Sequence, residues 1–348
     1  MLAIWTNCLR SQARISSCSA GASVAFTLPL KLQQLSSQQQ RSFAADTVYK
    51  FSVTPAHIET VKATLPLVAN AGTDFTKHFY RRLFTAHPEL QNIFNQTNQT
   101  LGGQPKKLLK TIAVAAQAAI ETGELPGELI EGISQKHCAL NLQPEAYDLV
   151  GTHLLGTIED LFTTDKAVID AWADLYGDIK SVFVTRESEI YQETAAIPNS
   201  WVGKRKFILA DKVKLSSGIA RFMFEPVDGQ PVPHFTPGKF TTVWASVNEE
   251  GPYGHYKEQP RHYTLNLPMN DDEDGKYMFI SVKKDGLVSS LLHTAAIGSE
   301  FELSAPFGCF VMSGSEKLWL ASADAPTVFL SAGIGITPGK MYYHCCVN

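Results

Sequence analysis

The sequence predicts a multidomain chain: an all-α domain, then an antiparallel β-barrel, then the beginning of an α/β domain. Three observations predict it. From Thr54 to about Tyr191 apolar residues recur at helical spacing, and long alternating β-branched runs are missing. After "AAIPNS" (195–200) the pattern turns to short strands separated by Gly, Pro and Asp. From Pro326 an apolar run leads into the glycine loop "GIGITP" (333–338), the signature of a nucleotide site. The expected layout is a leader over 1–45, a helical domain over 46–194, a linker over 195–200, a barrel over 201–312, and the start of an α/β domain over 326–348.

The leader carries Arg10, Arg14, Lys31 and Arg41, is rich in Ser and Gln, and has no acidic residue before Asp46. A cationic, hydroxyl-rich, acid-free segment reads as a mitochondrial targeting leader, with "RSFAA" (41–45) as its processing region and a matrix destination. A disordered tail on a cytosolic protein and a secretory signal using "AGASVAF" are the other readings. The whole chain carries a formal charge of -4 over 348 residues, so nucleic-acid binding has little support. No run of about 18 apolar residues is present, so a spanning helix is not expected. The six cysteines form no CxxC pair, which argues against a zinc site or a disulfide scaffold.

Within the helical part, Thr54 reads as an N-cap with Pro55 in the first turn. Further helices are expected at roughly 73–86, 105–122, 127–139, 144–162 and 166–192. The strands expected after the linker are "KFILADKVKL", "ARFMFEPVD", "KFTTVWASV", "KYMFISVKK" and "EFELSAP". Strands so spaced predict a small antiparallel barrel.

Three polar residues on apolar helix faces stand out. His137 lies on the stripe of Ile130 and Ile133; a single His there is more often a hydrogen-bonded core residue. Glu187 follows Phe183 by four, on the face of Tyr176 and Ile179, and a carboxylate is costly there without a partner. Tyr147 points the same way as Val150 and Leu154. A histidine with a buried acid and phenol to hold it suits a metal-ligand role, because the acid takes the ring N–H and fixes the tautomer. Upstream, Tyr80 shares a face with Thr76 and Phe84, Phe94 follows "HPELQNI", and Gln104 and Leu108 are four apart at a helix start. Taken singly, Phe94 reads as core filler and Gln104 as a solvated helix start.

The segments "HFYRRLFTAHPELQNIFN", "QKHCALNLQPEAYDLVGTHLL" and "WADLYGDIKSVFVTRESEIY" resemble, in order, those of the flavohaemoglobins, globins fused to a flavin reductase. The resemblance extends over about 50–340, to a mitochondrial eukaryotic member. It implies a globin domain, an FAD-binding barrel of the ferredoxin-reductase type and an NAD(P)-binding domain. The implied activity is nitric oxide dioxygenation: NO is oxidised to nitrate with O2 held at haem b, using electrons passed from NAD(P)H through FAD. The alternative is an O2- or NO-binding or sensing globin without reductase turnover. The resemblance makes His137 the iron ligand, Glu187 and Tyr147 its relay, Tyr80 and Gln104 the distal polar pair, and Phe94 and Leu108 apolar packing. Lys136 falls near the haem–flavin boundary, or is simply a solvated lysine.

In the barrel, "RHYTLN" (261–266) resembles the family's flavin element. Arg261 would bind a phosphate bidentately, Tyr263 would stack on or bond the ring, Thr264 would bond its edge, and His262 lies between them. In "DGLVSSLLH" (285–293), Gly286 would let the backbone approach, while Val288 and Ser289 open a helix whose N–H groups face the pyrophosphate. Phe240 stands where bacterial members of the family often carry Tyr, keeping the stacking surface without the hydroxyl. Gly333, Ile334, Gly335, Ile336, Thr337 and Pro338 match the family's nicotinamide loop. The stretch 326–348 is 23 residues, and one βαβ unit takes about 30, so an incomplete NAD(P)H site is expected. The expectation extends to the coding strand, where Gly339-Lys340-Met341 would read GGT AAG ATG across an intron boundary.

Overall fold

A computed structural model describes residues 48–94, 103–266, 275–310 and 333–337. The expected leader, Pro338 and most of 326–348 lie outside the described residues. The described residues all fall within one compact unit.

The helical part opens with a strand β1 (Val48–Lys50) paired antiparallel to β2 (Glu124–Pro126). Neither strand was expected: three residues are too few for alternation to register. Helix α1 (Pro55–Ala86) begins as read, with Thr54 Oγ1 accepting the N–H of His57 at 3.3 Å. Gly72, at φ 53° and ψ -119°, breaks α1 into two helical pieces. A 3₁₀ turn (Pro88–Asn92) follows, then α2 (Gly103–Glu121), α3 (Gly127–Ala139), α4 (Glu145–Leu161) and α5 (Lys166–Ala196). Their inward faces form one core around Phe75, Phe79, Leu83, Phe84, Ile130, Leu154 and Trp172. Helix α4 can approach α5 because Gly151 has no side chain; a Cβ there would lie 2.5 Å from the Tyr176 ring. The Tyr176 hydroxyl then donates to the Tyr147 carbonyl at 2.6 Å.

Helix α5 runs two residues into the stretch read as linker. Its cap, Ile197, precedes Pro198, which disfavours helical backbone there. Beyond it lie β3 (Arg205–Ser216), β4 (Ile219–Pro226), β5 (Phe240–Gly251), β6 (Gly254–Asn266), β7 (Met278–Lys283), α6 (Leu287–Thr294) and β8 (Glu300–Leu303). The strands close an antiparallel barrel in the order β3-β4-β7-β6-β5-β8. Five of these six were expected as strands. β6 was seen only as a motif, because its first half is polar and Pro260 interrupts it. Pairing with β5 carries it across that proline, with Trp244 opposite Pro260. Phe207, Phe222, Phe224, Val243, Leu265 and Ile280 fill the barrel.

The two parts share an apolar cluster in which Cys138, Ala139 and Ile190 meet Ala305 and Phe307. Beside it the buried Arg186 bonds Glu131 (2.8 Å), Glu189 (2.9 Å) and Glu193 (2.8 Å). Glu131 also accepts from Gln135, whose carbonyl oxygen accepts the Gly308 N–H at 2.8 Å. Among the described residues no helix is long and apolar enough to cross a membrane.

Candidate functional site

Helices α3, α4 and α5 bring three side chains together. His137 Nδ1 lies 2.8 Å from Glu187 Oε1 and 2.8 Å from the Tyr147 hydroxyl, which itself bonds Glu187 Oε1. The proton positions follow from this triangle. Burial first, and then the charge of Glu187, raises the Tyr147 pKa well above the ordinary phenol value, so its proton stays and is given to the carboxylate. Nδ1 then faces two oxygens whose lone pairs point at it, and must carry the hydrogen. Nε2 is left as the ring's electron-pair donor. Glu187 is 4% exposed while the His137 side chain is 30% exposed, so the acid is sealed and the ring reaches outward. The Phe183 ring, stacked 6.1 Å from Tyr147 and tilted 6.0 Å from His137, walls the triangle.

A second constellation surrounds Tyr80, which is buried. Its ring meets Phe79 at 4.9 Å, Phe84 at 5.5 Å and Phe94 at 5.6 Å. Leu108 is half-buried against the same core. Gln104 lies in the first turn of α2, and its side chain is outside the described residues. Among the described residues no group of three or more His, Cys, Asp and Glu is poised to hold a bare metal ion. One oriented imidazole with a free Nε2 instead fits a metal that brings its other ligands with it, as haem iron does.

On β6, alternation divides the flavin motif between two faces. Arg261 and Tyr263 sit opposite Val243 and Thr241, and His262 and Thr264 sit opposite Thr242 and Phe240. Phe240 and His262 form a ring pair at 4.8 Å, and His262 Nδ1 bonds Thr242 Oγ1 at 2.8 Å. Gly308, at φ 117°, makes room for that pair; a Cβ would meet the Phe240 ring at 2.9 Å. The His262 ring is accessible to solvent, yet dense surroundings push its pKa down to about 4, helped by the charge of Lys136. Lys136 itself is exposed, so it acts on the barrel through its field. Burial lowers the Arg261 pKa, with the phenols Tyr263 and Tyr256 opposing it; a desolvated guanidinium of this kind fits an anionic phosphate.

In the helix motif the side chains serve the fold. Val288 is packed in the barrel core at 1% exposure, so only its backbone is available to a ligand. The Ser289 hydroxyl accepts from the N–H groups of Asp285 and Gly286 and donates to the Gly286 carbonyl. It shapes the turn rather than projecting from it. Gly286 has extended backbone and open space where a Cβ would stand, so the fold itself makes no demand for glycine there. Gly333, Ile334 and Gly335 form a 3₁₀ turn. Ile336 is exposed, and the buried Thr337 donates to the Ile334 carbonyl at 2.8 Å.

Residues that the sequence reading did not single out tie these groups together. Gln135 joins α3 to Gly308, and Gln91, Asn92 and Gln259 join the 3₁₀ turn to β6. "NIF" and "EQPR" carry no periodicity that would have marked them.

Comparisons with known proteins fit this geometry. A globin family model matches residues 77–183. A flavohemoprotein of Rhizobium meliloti is 38% identical over 291 residues, covering 80% of this chain and 68% of that protein. The crystal structure of a flavohemoglobin from Malassezia yamatoensis, with bound FAD and heme, superposes with a TM-score of 0.72 at 25% identity. It covers 83% of this chain and 72% of that one.

Proposed function

The chain belongs to the flavohaemoglobin family of nitric oxide dioxygenases, and from that premise we propose that it oxidises NO to nitrate with O2, drawing electrons from NAD(P)H through FAD and haem. The observation that carries the proposal is the His137–Tyr147–Glu187 triangle. When bound, haem supplies an iron that takes O2 and single electrons, and FAD divides a hydride's electron pair into single electrons.

His137 offers Nε2 to the iron. Glu187, holding the Nδ1 proton in a site sealed from water, gives the imidazole part of an imidazolate's donor strength. An oxygen carrier has to release its ligand, whereas a strongly donating ring would favour retention and turnover. Tyr80, buried among Phe79, Phe84 and Phe94, would supply a hydrogen bond to the iron's gaseous ligand, with Gln104 proposed as its companion and Leu108 as apolar packing. A hydrogen bond to a charged group contributes about 1.5–3 kcal/mol, so Tyr80 would tighten a partly anionic ligand roughly ten- to hundredfold. Arg261 would take a flavin phosphate, Tyr263 would stack on or bond the flavin ring, Phe240 would offer it a stacking surface, and Thr264 would bond its edge. The backbone N–H groups at Val288 and Ser289 would face the pyrophosphate, and the open space beside Gly286, whose own N–H is held by the Ser289 hydroxyl, would let it approach. Gly333, Ile334, Gly335, Ile336, Thr337 and Pro338 would contribute the nicotinamide loop.

The test loads the chain with haem and FAD and follows NADH- and NADPH-driven NO consumption beside the absorbance spectrum. His137→Ala loses the haem Soret band while keeping flavin absorbance, and His153→Ala keeps both. A haem band that survives His137→Ala, or disappears equally in His153→Ala, refutes the ligand assignment. Haem and flavin binding without any NO consumption, even when the flavin is reduced chemically so that the expected incomplete NAD(P)H site is bypassed, would favour the sensing alternative.

A further inference from the structure

One enclosed amide joins the flavin strand to the wall of the other pocket. Gln259, at 0% exposure, sits on β6 two residues before Arg261. Its two Nε2 hydrogens are shared among the carbonyls of Gln91 (2.9 Å), Phe94 (3.2 Å) and Glu258 (3.0 Å), and its Oε1 accepts from Arg261 Nη1 at 3.3 Å. An amide has one end that only donates and one that only accepts. Neither can be turned around here without leaving buried groups unmatched.

The surroundings make this a joint with definite geometry. Asn92 Oδ1 accepts the N–H groups of Lys257 (2.7 Å) and Glu258 (3.1 Å), clamping the 3₁₀ turn along the strand. At the hairpin tip Tyr253 lies 5.4 Å from Phe84. A Cβ on Gly251 would stand 2.7 Å from Gln91 Oε1, so that glycine lets the turn seat closely. Phe94 meets Tyr80 edge-on at 5.6 Å and Phe84 at 5.4 Å. Arg261, Gln259, Phe94 and Tyr80 are therefore consecutive neighbours.

We propose that Gln259 is a positioning residue that couples occupation of the flavin seat to the shape of the distal haem pocket. When Arg261 turns its guanidinium to a flavin phosphate, its hold on Gln259 Oε1 changes. The amide's other end hands that change to the Phe94 carbonyl and so to the rings against Tyr80. The inference rests on the reading that Arg261 takes a flavin phosphate and Tyr80 faces the haem ligand. A ligand shifts a second site only through differential interaction with its two arrangements, and the coupling must be reciprocal.

The experiment uses the full chain loaded with haem, with FAD removed and then titrated back, and carbon monoxide as the probe of the reduced haem. CO affinity is measured with and without saturating FAD, and FAD affinity with and without CO. Wild type is expected to show the same factor in both directions, about fivefold or more. Gln259→Met keeps the Soret band and FAD binding but brings both factors to unity, and the milder Gln259→Asn reduces them. Asn92→Ala, which loosens the same turn without touching the amide, retains the coupling. The proposal is overturned if wild type shows no mutual effect, if Gln259→Met and Gln259→Asn keep the full factor, or if Asn92→Ala abolishes it equally. A wild-type chain that takes up no haem or no FAD defeats the functional reading itself, an outcome distinct from two bound groups that ignore one another.

Discussion

Replacing Glu187 by Gln tests the donor strength of the His137 ring without changing the shape behind it. The carboxylate accepts from both His137 Nδ1 and Tyr147 and is 4% exposed, so water cannot substitute for it. A hydrogen bond to a charged group contributes about 1.5–3 kcal/mol and a neutral one about 0.5–1.5 kcal/mol. The two bonds share one oxygen and are not additive, so the change seen by the ring is roughly one bond's difference, about 1–1.5 kcal/mol. At about 1.4 kcal/mol per factor of ten, NO consumption should fall about tenfold. The haem should stay in place, because Nε2 remains and the amide oxygen still accepts from Nδ1. Tyr147→Phe should cost less, since it leaves the charge facing the ring. The assay is NO consumption per haem, with occupancy read from the Soret band. Turnover indistinguishable from wild type in Glu187→Gln, or loss of haem as complete as in His137→Ala, would refute the reasoning.

Three further outcomes follow from packing and charge. Arg186→Met strands the buried Glu131 carboxylate and should destabilise the chain by about 3–5 kcal/mol in urea melts, with much of that recovered in Arg186→Met/Glu131→Leu; equal losses in the two would contradict it. Gly308→Ala adds a Cβ at φ 117°, 2.9 Å from the Phe240 ring, and should cost about 1–3 kcal/mol; its FAD affinity, followed by fluorescence, should drop as well. His262 has a folded pKa of about 4 against an ordinary value near 6.5. Between those values the unfolded chain binds a proton that the folded chain refuses. Its contribution is whole above pH about 6.5 and is lost as pH falls toward about 4. Solvent access to the ring limits the size, and His262→Gln should flatten the acid side of the urea-midpoint profile in FAD-free protein.

Much of the site was legible because its determinants are local. A buried acid four residues after Phe183, a histidine on an isoleucine stripe and a phenol at the head of α4 each violate the polarity of their own helix face. Such violations can be read without coordinates. β6 was not legible as a strand, since its polar first half and Pro260 hide the period. Val288 and Ser289 were read as supplying backbone N–H groups to a ligand, and nothing along the chain said where their side chains go. Which way a helix's first turn points depends on the barrel it packs against, and that barrel draws Val288 inward.

By itself, then, the sequence determined the succession of helices and strands and the residue types available for chemistry, because periodicity and polarity are properties of neighbouring positions. Only the tertiary structure decided that Nδ1 of His137 holds the proton. That depends on side chains 50 and 40 positions apart meeting at one oxygen, across helices brought close by Gly151. It likewise decided that Gln259, 165 positions beyond Phe94, links a strand to a turn. A hydrogen bond requires a particular distance and direction between two groups, and no pattern along the chain encodes either until the chain has folded.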